Sequence, residues 1–93
     1  MKVSVYDTYV PKDEKTTMHF DILVPDDTAL TEVYTFGKTY LEGKGVVNFN
    51  LTTKECNFCH MESAPELIEN EIKEKGFYII AVSYTHLTLP TKA

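Results

Sequence analysis

The sequence predicts an α+β fold: a single small domain with element order β-β-α-β-α-β, its two helices packed on one face of a mixed sheet. Three observations carry that expectation. The first 25 residues hold two runs rich in β-branched and aromatic residues, "KVSVYDTYV" and "TTMHFDILV", joined by a short polar connection. Two later segments carry apolar residues at helical spacing, each followed by glycine. Between and after them come a short alternating run and a continuously apolar one. At 93 residues, 43% hydrophobic and 25% charged, the chain has the composition of a globular protein and the length for one core.

Each element has its own justification. "PKDEK" starts with proline and is otherwise charged, which suits the turn of a hairpin between the first two strands. Placing Val3 and Val5 on the buried side with Met18, Phe20, Ile22 and Val24 sets Val5 opposite Ile22 and Asp7 opposite Phe20. The other side then collects Tyr6, Thr8, His19 and Asp21, because alternate residues of a strand point oppositely. In "PDDTALTEVYTFGKTYLEGKG", Asp26, Asp27 or Thr28 can cap a helix whose Leu30, Val33, Tyr34, Gly37 and Leu41 share a face, and Gly43 or Gly45 ends it. Gly37 in a helix interior costs about 1 kcal/mol relative to alanine, and close approach to the sheet would offset that. "VVNFNL" alternates Val47, Phe49 and Leu51 as a short strand does, and "TTKECNFCHME" continues it as a turn or a second extended piece. "SAPELIENEIKEKG" opens on a capping box, Ser63 with Glu66, and closes at Gly76. "FYIIAV" is apolar at every position, as a central or doubly covered strand is.

Composition narrows the function classes. A net charge of −5, nine scattered lysines and no arginine leave no basic face for a phosphate backbone, so nucleic acid is not expected as a partner. The N-terminus has no apolar run of signal-peptide length, and no segment is long enough to span a bilayer. The expected setting is therefore cytoplasmic and away from membranes, where cysteines stay reduced. The domain is small enough that a ligand or a homodimer would contribute usefully to its stability.

Residues 82–93, "VSYTHLTLPTKA", differ from the rest: all 14 acidic residues precede them. They resemble the in-frame translation of a transposase sequencing adapter, so the domain is expected to comprise residues 1–81, with 82–93 a non-native tail outside functional reasoning.

The blocks "VYDTYV", "MHFDILVPDDT" and "KECNFCHMESAPELIENEIKEKGFYII" together resemble the small bacterial family catalogued as domain of unknown function DUF2024, across residues 1 to 80. The resemblance implies no activity. It also implies that the last few native residues are replaced where the adapter-like string begins.

Two constellations could carry chemistry. "CNFCH", residues 56 to 60, has the spacing of a c-type haem attachment sequence, half a zinc site or a dithiol pair. Haem is disfavoured, because export is missing and the expected helix starts only after the motif. Zinc would need four ligands, and Cys56, Cys59, His60 and His19 are the candidates. A redox role suffers because Glu55 and Glu62 flank the thiols with negative charge, which raises their pKa. Packing of both cysteines as small apolar residues is the leading expectation. The second constellation is the polar hairpin face, Tyr6, Thr8, His19 and Asp21 with Asp7 at the strand end, which could bind a ligand or share a proton.

The sequence thus reads as a non-enzymatic binding or interaction domain for a protein or small-molecule ligand, with no cofactor required. A zinc or thiol redox module built on "CNFCH" is the alternative. The position of the two sulfurs discriminates: convergence beside an imidazole favours the alternative, and opposite faces of a strand remove its basis.

Overall fold

The computed structural model describes residues 1–86. Strands β1 (Lys2–Pro11) and β2 (Thr16–Pro25) form the central hairpin, followed by helix α1 (Leu30–Gly43), strand β3 (Cys56–Ser63), helix α2 (Glu66–Lys75) and strand β4 (Tyr78–His86). The expected α+β order is the observed one. At the hairpin tip the Lys12 N–H donates to the Thr16 carbonyl at 2.9 Å, and the Asp13 carboxylate accepts from the Lys15 N–H at 2.9 Å. The sheet runs β3-β1-β2-β4, and every neighbouring pair is antiparallel.

The sheet is therefore antiparallel rather than mixed. Both β2 and β3 are antiparallel to β1, so they run the same way, but β1 lies between them and no parallel pair forms. The connection through α2 then carries the chain from one sheet edge to the other.

The hairpin register also differs from the expectation, by one residue: Val5 pairs with Leu23, Asp7 with Asp21, Thr8 with Phe20 and Val10 with Met18. A one-residue slip exchanges faces. Val3, Val5 and Leu23 consequently share one side with Ile72 of α2, while Val10, Met18, Phe20, Ile22 and Val24 share the other with Val33 and Leu41 of α1. Ile22 and Leu23 are adjacent in sequence, point to opposite faces and are both 0% exposed, so both faces are covered at that level. The helices thus pack on opposite faces, not on one. Tyr6 and Thr8 lie on the α1 side, and Thr8 is fully buried.

The segment between α1 and β3 forms no strand. Asn48 takes a positive φ of 60°, which breaks the alternation, and Leu51 turns into the α1-side core. A Cβ on Gly37 would collide with Leu51 Cδ1 and stand 3.0 Å from Ile22 Cδ1, so the glycine admits this layer. The helix starts differ as well. The N-cap residues are Ala29 and Pro65, neither with a side-chain cap, and Ser63 belongs to β3. Gly76, at φ 92°, ends α2 as expected. Among the described residues no helix is long and apolar enough to cross a membrane. The first five residues of the adapter-like stretch, 82–86, continue β4, and its remainder lies outside the described residues.

Candidate metal centre

On its own side of the sheet, α2 covers Val3, Val5 and Leu23. Two residues further along the same strands, on the same face, stand Asp7 and Asp21, directly opposite each other; beyond them stand Tyr9 and His19. Strand alternation and the observed register are enough to bring Asp7, His19 and Asp21 together. His19 Nε2 lies 4.0 Å from Asp7 Oδ1 and 3.8 Å from Asp21 Oδ1, and one ligating atom from each residue falls within 4.8 Å of the others. The Tyr9 ring stacks on the His19 imidazole at 4.0 Å between centroids and 14° between planes, which restricts the imidazole's rotation.

The electrostatics are those of a site with charge left over. His19 Nε2 and Asp21 Oδ1 are buried and hydrogen-bond to nothing among the described residues. Buried polar atoms are ordinarily satisfied, so each such orphan calls for an explanation. Burial pushes the Asp21 carboxyl up to about 6, reinforced by hydrogen bonding to and repulsion from Asp7, with His19 and His60 pulling the other way. The Tyr9 phenol is also raised, by burial first and then by the charges of Asp7 and Asp21.

Both outer strands bulge beside this cluster. In β3 the pairing steps from Val5↔His60 to Tyr6↔Phe58, which leaves Cys59 as the extra residue. In β4 it steps from His19↔Ser83 to Phe20↔Ala81, which leaves Val82. A bulge re-aims a side chain and increases local twist. Cys59 is exposed, and its thiol is raised by desolvation, by the charge of and a hydrogen-bonding contact with Asp7, and by Asp21. His60 Nδ1 lies 3.2 Å from Cys59 Sγ, and His60 Nε2 lies 2.8 Å from Glu62 Oε1.

The candidates named from the sequence are thereby sorted. Asp7, His19 and Asp21 come together; Tyr6 and Thr8 lie on the other face of the sheet. Cys56 is buried on the α1 side, where its sulfur accepts a hydrogen bond from Thr8 Oγ1 at 3.4 Å and burial pushes its thiol up. Cys56 and Cys59 therefore do not converge, and they cannot ligate one ion together from these positions. His60 is half exposed and paired with Glu62 rather than with His19. The expected register sets Asp7 opposite Phe20, at the strand end of the polar constellation, whereas the observed one sets it opposite Asp21. The overlooked signal was the unbroken "ILV" of β2, which marks a level covered on both faces and so separates the core end of the hairpin from its polar end.

A family model described as a domain of unknown function, DUF2024, matches residues 1–82. The chain belongs to the DUF2024 family. The matched stretch contains Asp7, His19, Asp21, Cys59 and His60 and stops at the first residue of the adapter-like string. Among solved structures, this DUF2024 domain is similar to the protein NE1680 from Nitrosomonas europaea, determined by NMR. The two are 36% identical with a TM-score of 0.76, over 87% of this chain and 94% of that one. No curated protein matches the chain.

Proposed function

We propose that this domain binds a divalent metal ion through Asp7, His19 and Asp21. The observation that carries the reading is the pair of buried, unpartnered ligating atoms, His19 Nε2 and Asp21 Oδ1, facing the Asp7 carboxylate. Separations of 3.8 and 4.0 Å are too long for hydrogen bonds. They are close to what an ion requires: two ligand atoms bound at about 2.1 Å to a tetrahedral centre stand about 3.4 Å apart, a gap small side-chain rotations close. An ion also answers the charge problem, since two facing carboxylates otherwise repel, and a cation between them replaces the shared proton.

The reading is one of binding rather than turnover. Among the described residues no helix covers the cluster, and Asp7, His19 and Asp21 are not among those lining the clefts at Asp13–Thr16 and at Tyr34, Thr35, Lys38, Asn50 and Leu51. An ion fits where a larger ligand has no walls. The test is isothermal titration of chelator-treated protein with Zn²⁺, Co²⁺ and Mn²⁺. Saturable one-to-one binding that is lost in His19→Ala and in Asp21→Asn is the expected result. Absence of saturable binding by all three ions, or binding unchanged in both variants, overturns the proposal.

A further inference from the structure

Strand β3 forms one edge of the sheet, and among the described residues it pairs only with β1. Its outward side follows from one hydrogen bond. The Ala64 N–H donates to the Met1 carbonyl at 2.9 Å, and from there hydrogen-bonded and non-hydrogen-bonded pairs alternate along the β1–β3 register. Glu62 and His60 therefore direct their backbone groups at β1, whereas Ser63 and Met61 direct theirs away from the sheet. Residues 56–63 hold no lysine or proline, the usual guards against edge pairing. We propose that a second copy of this chain pairs at this edge, β3 antiparallel to β3 across a two-fold axis at Met61, which joins the two four-stranded sheets into one.

Charge argues for both the occupant and the register. At a net charge of −5 two copies repel each other, so a contact between them needs its acidic groups met by donors. With Met61 opposite Met61, the His60 of each copy stands opposite the Glu62 of the other, twice by symmetry. These are non-hydrogen-bonded pairs, in which facing side chains come closest. The two groups already suit each other within one chain, where His60 Nε2 lies 2.8 Å from Glu62 Oε1. An axis at Glu62 would set carboxylate against carboxylate, and one at His60 would set imidazole against imidazole. The bulge at Cys59 confines the pairing to the residues after it.

So short a pairing needs apolar support, since a specific interface buries about 1,000 Å² or more. Phe58 and Met61, 54% and 44% exposed, lie together on the α1 side of β3, where Phe58 meets the Tyr6 ring edge-on. Leu67, 73% exposed, stands in the first turn of α2, which follows directly on the end of β3. Each of these side chains contributes twice across the axis.

Sedimentation equilibrium of the chelator-treated full chain should show a reversible monomer–dimer equilibrium, independent of the metal site. Met61→Lys sets two lysines against each other at the axis and should leave a monomer with an unchanged circular dichroism spectrum. Val47→Lys, at an exposed loop position, should leave the equilibrium as it is. His60→Glu alone should raise the dimer Kd by on the order of tenfold, because two favourable pairs become two repulsive ones. Mixed with Glu62→Lys it should form a heterodimer in preference to either homodimer, since glutamate then faces lysine. A chain that stays monomeric from micromolar to millimolar concentration overturns the self-pairing and leaves the edge to an extended segment of another protein. A dimer that survives Met61→Lys, or the absence of preferential association between the His60→Glu and Glu62→Lys chains, overturns this contact.

Discussion

Replacing Asp21 with asparagine should stabilise the metal-free protein at neutral pH, although the substitution removes a residue proposed to bind the ion. The carboxyl titrates at about 6 in the folded protein against an ordinary value of 3.8. Between those values the folded chain holds a proton that the unfolded chain has released. Stability from this group is therefore greatest below 3.8 and is lost as pH rises through about 6. Each unit of displacement corresponds to about 1.4 kcal/mol, so the ionised carboxylate costs about 2–3 kcal/mol at neutral pH. Asparagine keeps the shape, removes the charge and offers an N–H to Asp7, and the cost should vanish. Urea denaturation of chelator-treated wild type and Asp21→Asn across this pH range measures the difference directly. The wild type should fall behind the variant as pH rises, reaching the full deficit above about 6. Parallel stability profiles across that range would refute the account, because they would mean that Asp21 ionises as freely in the fold as outside it. Adding Zn²⁺ should reverse the order once the free ion reaches a thousand times its Kd, where it contributes about 4.1 kcal/mol to the wild type alone.

Ion affinity should itself weaken with acid: calorimetry near pH 5 should give a Zn²⁺ Kd at least about tenfold higher than near pH 7.5, as protons compete for Asp21, whose carboxyl is raised to about 6. Cys56→Ala should lower stability by about 1–2 kcal/mol through lost packing and the lost Thr8 contact, by the same amount with and without chelator in a urea titration. Gly37→Ala should destabilise by about 1 kcal/mol in thermal melts, because the collision with Leu51 and the 3.0 Å approach to Ile22 outweigh the gain in helix propensity.

The parts of the fold legible in the sequence were those with a single periodicity. The Val33, Gly37 and Leu41 face of α1 was visible because helical spacing admits one apolar stripe, and these three residues are the buried ones. The hairpin register was not visible, since "ILV" in β2 is apolar at consecutive positions and Val3 and Val5 could pair with either set. The observed pairing sets Asp7 against Asp21, an arrangement that side-chain energetics disfavours without an ion or proton between them. The β3 sequence concealed its strand because an edge strand with a bulge needs no strict alternation, and seven of its eight residues are exposed. Val47, Phe49 and Leu51 alternate without forming a strand: Leu51 enters the core and Phe49 packs half-buried against it, while Val47 stays exposed. The pairing of 82–86 with β2 follows from backbone N–H and C=O groups, which an open β2 edge offers to any extended segment.

The geometry of α2 explains why the polar cluster stays open. A ten-residue helix is about 15 Å long. Four strands at spacings of about 4.8 Å are about 14 Å wide, so a helix carrying the chain from the β3 edge to the β4 edge matches the width of the sheet. Ten-residue strands are about 33 Å long, however, and one such helix laid across them covers only part of their length. Its contacts with Val3, Val5, Leu23 and Tyr78 place it at the end where β3 finishes and β4 starts. Among the described residues no helix covers the other end of that face. If solvation were the only requirement there, scattered and freely hydrated side chains would meet it at lower cost than two facing carboxylates and a stacked imidazole. Asp7, His19 and Asp21 instead bring one polar atom each within 4.8 Å of the others, with two buried atoms unpaired, and the proposed cation would make that arrangement favourable.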